Sequence, residues 1–415
     1  QHLPRYLSYS LPRWVENVAP GRNGGGWFDP FECDRIDTYL EQAYLTAFSK
    51  CKEIMMFCWS ALYNNKRATP LMFQYKKLDK IMGECGKPFG LPVYIPFNSQ
   101  GEDHIEDFLG MVGIPMEPTP NFPNFGEGAC ECSCTCEDEC ASVNVSSGTE
   151  SGSGDGSAGS GDFVAVENSG DFTNSVLVTA ASLKDDQIVA KIKKFVEKGG
   201  KVLATSGFMI GALKKYPEIK DLTGVRYNEK TLEADEFQFD SVNFYGRNFV
   251  LAKSLLKFPL LEHRNNASWS IVNAGHGEYH ESLVMYDTYG KGKFEIINLP
   301  EMPSRIKDLP TEVLCVMRKE MLGSGKVWID CGYGVSLFTY DNNTFGLYCY
   351  TNDGCSPLEF NVHIAGKPCK LEKIADAEEM NPWWKKDVNA LYSNDKETVF
   401  PVRILPGDFA FFKIV

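Results

Sequence analysis

The stretch Val176–Ser206, VLVTAASLKDDQIVAKIKKFVEKGGKVLATS, decides the fold class. Val176 to Ala180 and Lys201 to Ser206 are short apolar runs, and Leu183 to Lys198 between them carries apolar residues at helical spacing. Ser182 with Asp185 three residues on is a capping-box-like start, and Gly199-Gly200 is a stop, so the order is strand, helix, strand. Strands that read as unbroken apolar runs are buried on both faces, as in a parallel sheet between helices. The unit therefore predicts an open α/β sheet with helices on both faces.

The same alternation runs upstream. Ile36, Leu40, Ala43, Tyr44, Ala47, Phe48 and Cys51 lie at helical spacing, and the strand-like run Ile54 to Trp59 follows. A further helix is expected from Leu71 to Met82, ending at Gly83 and Gly86. Then come a strand at Leu91 to Pro96, a helix at Glu102 to Val112 and a strand at Ile114 to Glu117. The acids Glu102, Asp103, Glu106 and Asp107 crowd that helix's N-terminus, where the macrodipole favours them. Downstream of Gly224 the pattern is mixed, with a hairpin at Leu283 to Leu299 turning through Tyr289-Gly-Lys-Gly292 and a helix at Pro310 to Met321. From Lys326 the chain is short strands and turns, which predicts a small β-sandwich.

One segment interrupts this order. Of the net charge of -13, all the imbalance sits between Lys87 and Lys184, where no Lys or Arg occurs and fifteen acids do. Such a block repels phosphate backbones, so nucleic acid is not an expected partner. Half of the 28 residues from Val145 to Phe172 are Gly or Ser, a composition that cannot bury enough apolar surface to order itself. Residues 121–174 read as an insertion. Within it, Cys130, Cys132, Cys134, Cys136 and Cys140 form a cluster that lacks the paired C-x2-C knuckles of zinc sites. Disulfides in an oxidising compartment are favoured over a metal. The acceptor triplets at Asn144, Asn266 and Asn342 fit the same extracellular location. No apolar run approaches the roughly 20 residues of a membrane-spanning helix, so no membrane span is expected. The N-terminus Gln1-His2-Leu3-Pro4 shows no signal-peptide pattern, consistent with a removed segment or a start within a longer chain.

The residues with chemistry to offer lie near the start. Trp14, Glu16, Asn17, Arg22, Asn23, Trp27 and Asp29 are flat or polar groups in a glycine-rich stretch that reads as a loop after a strand, where barrel enzymes keep their sites. A carboxylate between aromatic rings suits sugar chemistry: it can attack or stabilise an oxocarbenium-like centre while the rings stack on the sugar's apolar face. The plainer reading is an ion pair of Glu16 with Arg13 or Arg22 and tryptophans in the core. His276-Gly-Glu278-Tyr-His280 would place two imidazoles and a carboxylate on one face of a single strand, a zinc-like set, although a polar strand beside a turn is the commoner meaning. No metal or cofactor is expected.

The succession Trp14-Val-Glu16-Asn17, then Gly21-Arg22-Asn23-Gly-Gly-Gly26-Trp27-Phe28-Asp29-Pro30, then Tyr39 to Trp59, resembles the seventh and eighth strand–helix units of a clan A glycoside hydrolase barrel. The remainder is similar to the family 42 β-galactosidases and relatives such as the family 164 β-mannosidases. The resemblance implies three parts: the C-terminal portion of a (β/α)8 barrel at 1–88, a flavodoxin-like or amidotransferase-like trimerisation domain at 89–322, and a β-sandwich at 323–415. It implies a retaining β-glycosidase acting on carbohydrate, with Glu16 as nucleophile closing strand seven and Trp14, Asn17, Arg22, Asn23, Trp27, Asp29 and Trp59 around the sugar. The acid/base of that mechanism would come from strand four, outside these residues, roughly 5–5.5 Å from the nucleophile. It further implies that the second domain is catalytically empty and assembles a homotrimer. The alternative is a non-catalytic secreted structural or carbohydrate-binding assembly protein derived from such an enzyme.

Overall fold

The computed structural model describes residues 4–28, 36–57, 77–99, 104–123, 172–239, 249–263, 267–323, 326–350, 356–376 and 387–415. By its contacts the chain divides into a large unit, 1–125 with 170–415, and a small one, 126–169, which lies outside the described residues.

The large unit opens with helix α1 (Leu7–Val18), strand β1 (Gly25–Phe28), helix α2 (Ile36–Phe48), strand β2 (Glu53–Met56) and a helix α3 over 77–84. Strands β1 and β2 are parallel, with Gly25 opposite Glu53 and Phe28 opposite Met56. They approach so closely that a Cβ on Gly25 would lie 1.9 Å from the Glu53 carbonyl oxygen, so only glycine fits. The expectation that Trp14 to Asn17 closes a strand is corrected here, because all four residues lie in α1. Leu7, Leu11, Trp14 and Val15 recur at i, i+4, i+7 and i+8, the helical period. Pro12 within α1 leaves the Ser8 carbonyl without its helical donor, and Thr46 Oγ1 of α2 sits 3.4 Å from it.

Next comes a nine-stranded sheet. Its parallel half is β4 (Leu91–Tyr94), β5 (Met116–Thr119), β6 (Ser175–Val178) and β7 (Lys201–Thr205), in the order β5-β4-β6-β7. Helices α4 (Ile105–Met111), α5 (Ile188–Glu197) and α6 (Ser206–Lys215) accompany these strands. The strand–helix–strand reading of Val176–Ser206 holds, with one shift. Residues Ala180–Lys184 form a 3-10 turn capped by Thr179 and Ser182, and α5 starts only at Ile188. Beyond β7 the sheet continues with β12 (Gly292–Ile297), parallel to β7, and then in the order β11 (Tyr279–Tyr289), β10 (Trp269–His276), β8 (Val225–Phe239) and β9 (Phe249–His263). Strands β8 and β9 are a 15-residue-a-side hairpin that periodicity does not reveal.

Helix α7 (Thr311–Leu322) leads into two further sheets. One has four strands, β13 (Val327–Ile329), β16 (Leu358–Ala365), β20 (Glu397–Ile404) and β19 (Tyr392–Ser393). The other has six: β18 (Asp387–Val388), β17 (Leu371–Asp376), β21 (Phe409–Ile414), β15 (Thr344–Cys349), β14 (Val335–Tyr340) and β3 (Pro88–Phe89). Val335, Leu337, Phe345 and Leu347 of one sheet share a core with Val362, Ile364, Phe400 and Val402 of the other, the packing of a sandwich. Every residue of β14 and β15 is buried, so the six-stranded sheet is covered on both faces at these two strands.

The second covering layer is the N-terminal unit. Phe338 packs on Tyr6, Tyr9 and Phe48, and Tyr348 and Phe409 pack on Tyr44 and Phe48. The ring of Tyr6 lies against Gly110, where a Cβ would come within 2.4 Å of it. Polar welds accompany the rings. The Glu41 carboxylate, 3% exposed, holds both the Arg5 guanidinium and the Tyr348 hydroxyl, and Tyr340 donates to the Phe48 carbonyl at 2.8 Å. Fully buried Arg318 of α7 donates to the carbonyls of Val112, Ile329, Cys331 and Gly332, tying the α/β part to the sandwich.

Candidate active site at the ends of two parallel strands

Strands β1 and β2 have two ends of different chemistry. At the C-terminal end Trp27 and Phe57 meet edge to face, ring centres 6.2 Å apart and planes at 88°. Trp27 is 69% exposed, Met55 opposite it 59% and Phe57 44%. Alternation explains this: Gly25, Trp27, Glu53, Met55 and Phe57 face outward, while Ile54 and Met56 pack on the core and Gly26 faces Thr46 of α2. Tyr39 of α2 donates to the Phe57 carbonyl at 2.8 Å and so fixes the strand end. One face of the pair is thus covered by helix and the other presents bare apolar side chains.

The N-terminal end gathers most of the expected polar residues. Glu16, near the C-terminus of α1, accepts from the Gly21 backbone N–H at 2.7 Å, and Lys52 donates to the Gly21 carbonyl at 2.9 Å. Asn23 is buried, donating to the Pro12 carbonyl and accepting from the Gly25 N–H. Arg22 is exposed on the same turn. These contacts shape the entry to β1. Asn17 serves another network: with Arg13 it holds Glu117 of β5, at 2.7 Å from Asn17 Nδ2 and 2.6 Å from Arg13. Burial pushes the Glu117 carboxyl above its ordinary range even with those two partners. Arg13 therefore pairs with Glu117, and not with Glu16.

The expected site is accordingly divided. Trp27 stands at one strand end, Glu16, Arg22 and Asn23 stand at the other, some 10 Å away along a four-residue strand, and Trp14 lies on a different side of α1, stacked on Phe97. Asp29 and Trp59 lie outside the described residues, as do Cys130, Cys132, Cys134, Cys136, Cys140, Asn144 and Asn266. Asn342 is exposed on a turn, but its amide donates to the Glu84 carbonyl and accepts from the Thr344 hydroxyl. Cys51, Cys85, Cys315, Cys331, Cys349 and Cys369 are free thiols.

The zinc-like set at His276 to His280 is corrected by a turn. His276 ends β10 and Tyr279 begins β11, and the pairing of Gly275 with His280 puts the two imidazoles on opposite faces. His276 pairs with Asp235 and His280 with Glu236. Among the described residues no group of three or more His, Cys, Asp or Glu could hold a metal ion. No described helix is long and apolar enough to cross a membrane. In the parallel sheet, the crevice beyond β4 and β6 is filled from within: Ser182 donates to the Tyr94 carbonyl, Tyr94 donates to Asp185, and Phe122 packs edge-on against the Tyr94 ring.

Two clusters escaped sequence reasoning. Glu117 was read only as the end of a strand. Asp107, assigned to a helix N-terminus, is fully buried and holds the Ser10 hydroxyl and His104 Nδ1. The signal at Glu117 is a lone acid inside an apolar stretch; Asp107 stands among other acids, so nothing in the sequence sets it apart, and each needs a partner that spacing cannot name.

Residues 1–85 match a family model described as a probable glycosyl hydrolase, catalytic domain. No curated protein matches the chain. Among solved structures the fold is similar to an alpha-L-fucosidase isoenzyme 2 from Paenibacillus thiaminolyticus, with TM-score 0.54 and 10% identity, over 97% of this chain and 62% of that one. It is also similar to a catalytic mutant of a GH42 beta-galactosidase from G. stearothermophilus, with TM-score 0.51 and 10% identity, over 100% and 58%. The chain thus spans about three fifths of the length of these structures. The likeness is one of fold, to glycoside hydrolases that contain a barrel.

Proposed function

We propose that this chain is the C-terminal part of a retaining β-glycosidase, with its first 86 or so residues supplying the last two strand–helix units of the barrel. The observation that carries the reading is the bare face of β1 and β2, ending in the exposed pair Trp27 and Phe57. Barrel enzymes work at the C-terminal ends of their strands, and an aromatic pair there offers a stacking floor for a pyranose. On this reading the carboxylate comes from the acids that follow Phe28 in the sequence, Asp29 or Glu32, and Glu16 at the opposite end shapes the turn into β1. The α/β sheet serves assembly, as a trimer, which light scattering at micromolar concentration checks.

The test is hydrolysis of aryl β-galactoside, β-mannoside and α-L-fucoside by the protein expressed from its complete gene. Asp29→Asn or Glu32→Gln should lower turnover by about a thousandfold or more, as loss of a nucleophile does, and Glu16→Gln should leave it within about threefold. Abolition by Glu16→Gln with both other variants active would return the nucleophile to Glu16. Absence of any glycosidase turnover would favour the non-catalytic carbohydrate-binding alternative.

A further inference from the structure

A cavity of about 230 Å³ lies between α1, the loop after β4 and the start of α4, and none of its lining residues belongs to β1 or β2. We propose that it binds a single pyranose, at a site separate from the strand ends. The inference does not rest on the glycosidase reading. One wall is apolar and partly flat: Leu7, Leu11 and the indole of Trp14, which is braced by Phe97 at 6.2 Å with planes 12° apart and by its Nε1 toward the Ile95 carbonyl. The lining also includes Ser10, Ser99, His104 and Glu106, which bring polar groups to a mostly apolar cavity. An aromatic ring together with hydrogen-bonding groups in one cavity is what a sugar ring needs, with its apolar C–H face and its hydroxyls.

Three further observations favour a ligand over a packing gap. The Ser99 hydroxyl is buried and meets no hydrogen-bond partner among the described residues, a debt that a sugar hydroxyl would settle. His104 is held at φ +51°, in the left-handed region that a non-glycine residue seldom adopts, and its Nδ1 is 3.3 Å from buried Asp107. Asp107 in turn takes the Ser10 hydroxyl, so this wall is fixed from behind before anything binds. The volume would hold roughly eight waters at ~30 Å³ each, and it falls short of the ~300 Å³ at which sites for drug-sized ligands begin. A volume of this size suits one sugar ring.

Saturation-transfer NMR with D-galactose, D-mannose, L-fucose and D-glucose tests the proposal on the whole chain. At least one sugar should bind saturably in the millimolar range, as expected for a single small ring. Leu11→Trp fills the cavity from a position already 53% exposed, so it should fold normally and weaken binding about tenfold or more. Ser99→Ala should weaken it about fivefold by removing one hydrogen bond. Trp269→Ala, at an exposed position of β10 that does not line the cavity, should leave affinity within about twofold. The proposal is overturned if no sugar saturates, if toluene occupies the cavity and sugars do not, or if Trp27→Ala abolishes binding that Leu11→Trp spares.

Discussion

The six-stranded sheet and the two-stranded sheet are both made of apolar runs, yet they end in opposite states. The former is buried on both faces at β14 and β15, by the four-stranded sheet and by the aromatic residues of α1 and α2. The latter is covered on one face and shows Trp27, Met55 and Phe57 on the other. Helices α1 and α2 thus have a finished interface with the sandwich, and the strands between them have an unfinished one. A sheet with one apolar face uncovered is a surface for another layer.

Four measurements break or sharpen that contrast. The largest effect is expected at Phe338, in the finished interface. Phe338→Ala should cost about 3–5 kcal/mol in urea unfolding, because Tyr6, Tyr9 and Phe48 cannot all collapse into the space; a loss under about 1 kcal/mol would mean that the interface is loose. Next is Glu41→Ala, which removes the carboxylate shared by Arg5 and Tyr348. It should cost about 3 kcal/mol, as breaking a buried pair does, and a neutral result would leave the rings alone holding the layers together.

The third concerns pH and the nine-stranded sheet. Glu295 of β12 is wholly buried beside Lys201, and burial pushes its carboxyl up to about 7. The folded value lies above the ordinary one, so the folded state keeps the proton while the unfolded chain loses it. Stability should therefore fall as pH rises from about 4.5 to about 7 and be flat above, with roughly 3 kcal/mol separating the plateaus. Glu295→Gln should remove that slope, and an unchanged profile would assign it to other groups. The smallest effect is expected at the bare face: Trp27→Ala should change stability by under about 0.5 kcal/mol, and a larger loss would show the face to be covered in solution.

The strands buried between layers were legible, because an unbroken apolar run such as Val176 to Val178 or Phe345 to Cys349 has few other homes. The hairpin of β8 and β9 was not. Its strands carry Glu229, Lys230, Glu233, Lys253 and Lys257 on exposed positions at the sheet edge, where charge is usual and periodicity fades. Of the candidate site, Trp27 was read as part of a loop after a strand, whereas it lies within β1 itself. Glu16 was read from its neighbours Trp14 and Asn17 as a strand terminus, whereas the spacing of Leu7, Leu11 and Val15 already carried the helix. The pairs Arg13–Glu117 and Arg5–Glu41 join residues 104 and 36 apart, and nothing local announces them.

Strand β3, only Pro88 and Phe89, pairs with Thr339 and Tyr340 of the sandwich before the chain enters the parallel sheet. In terms of inheritance, this makes residue 88 a poor place to cut. A recombination point there would strip β14 of its edge neighbour and bare the aromatic layer on both products. The N-terminal helices and the C-terminal sandwich, 250 residues apart in the chain, should therefore be exchanged together, as one piece.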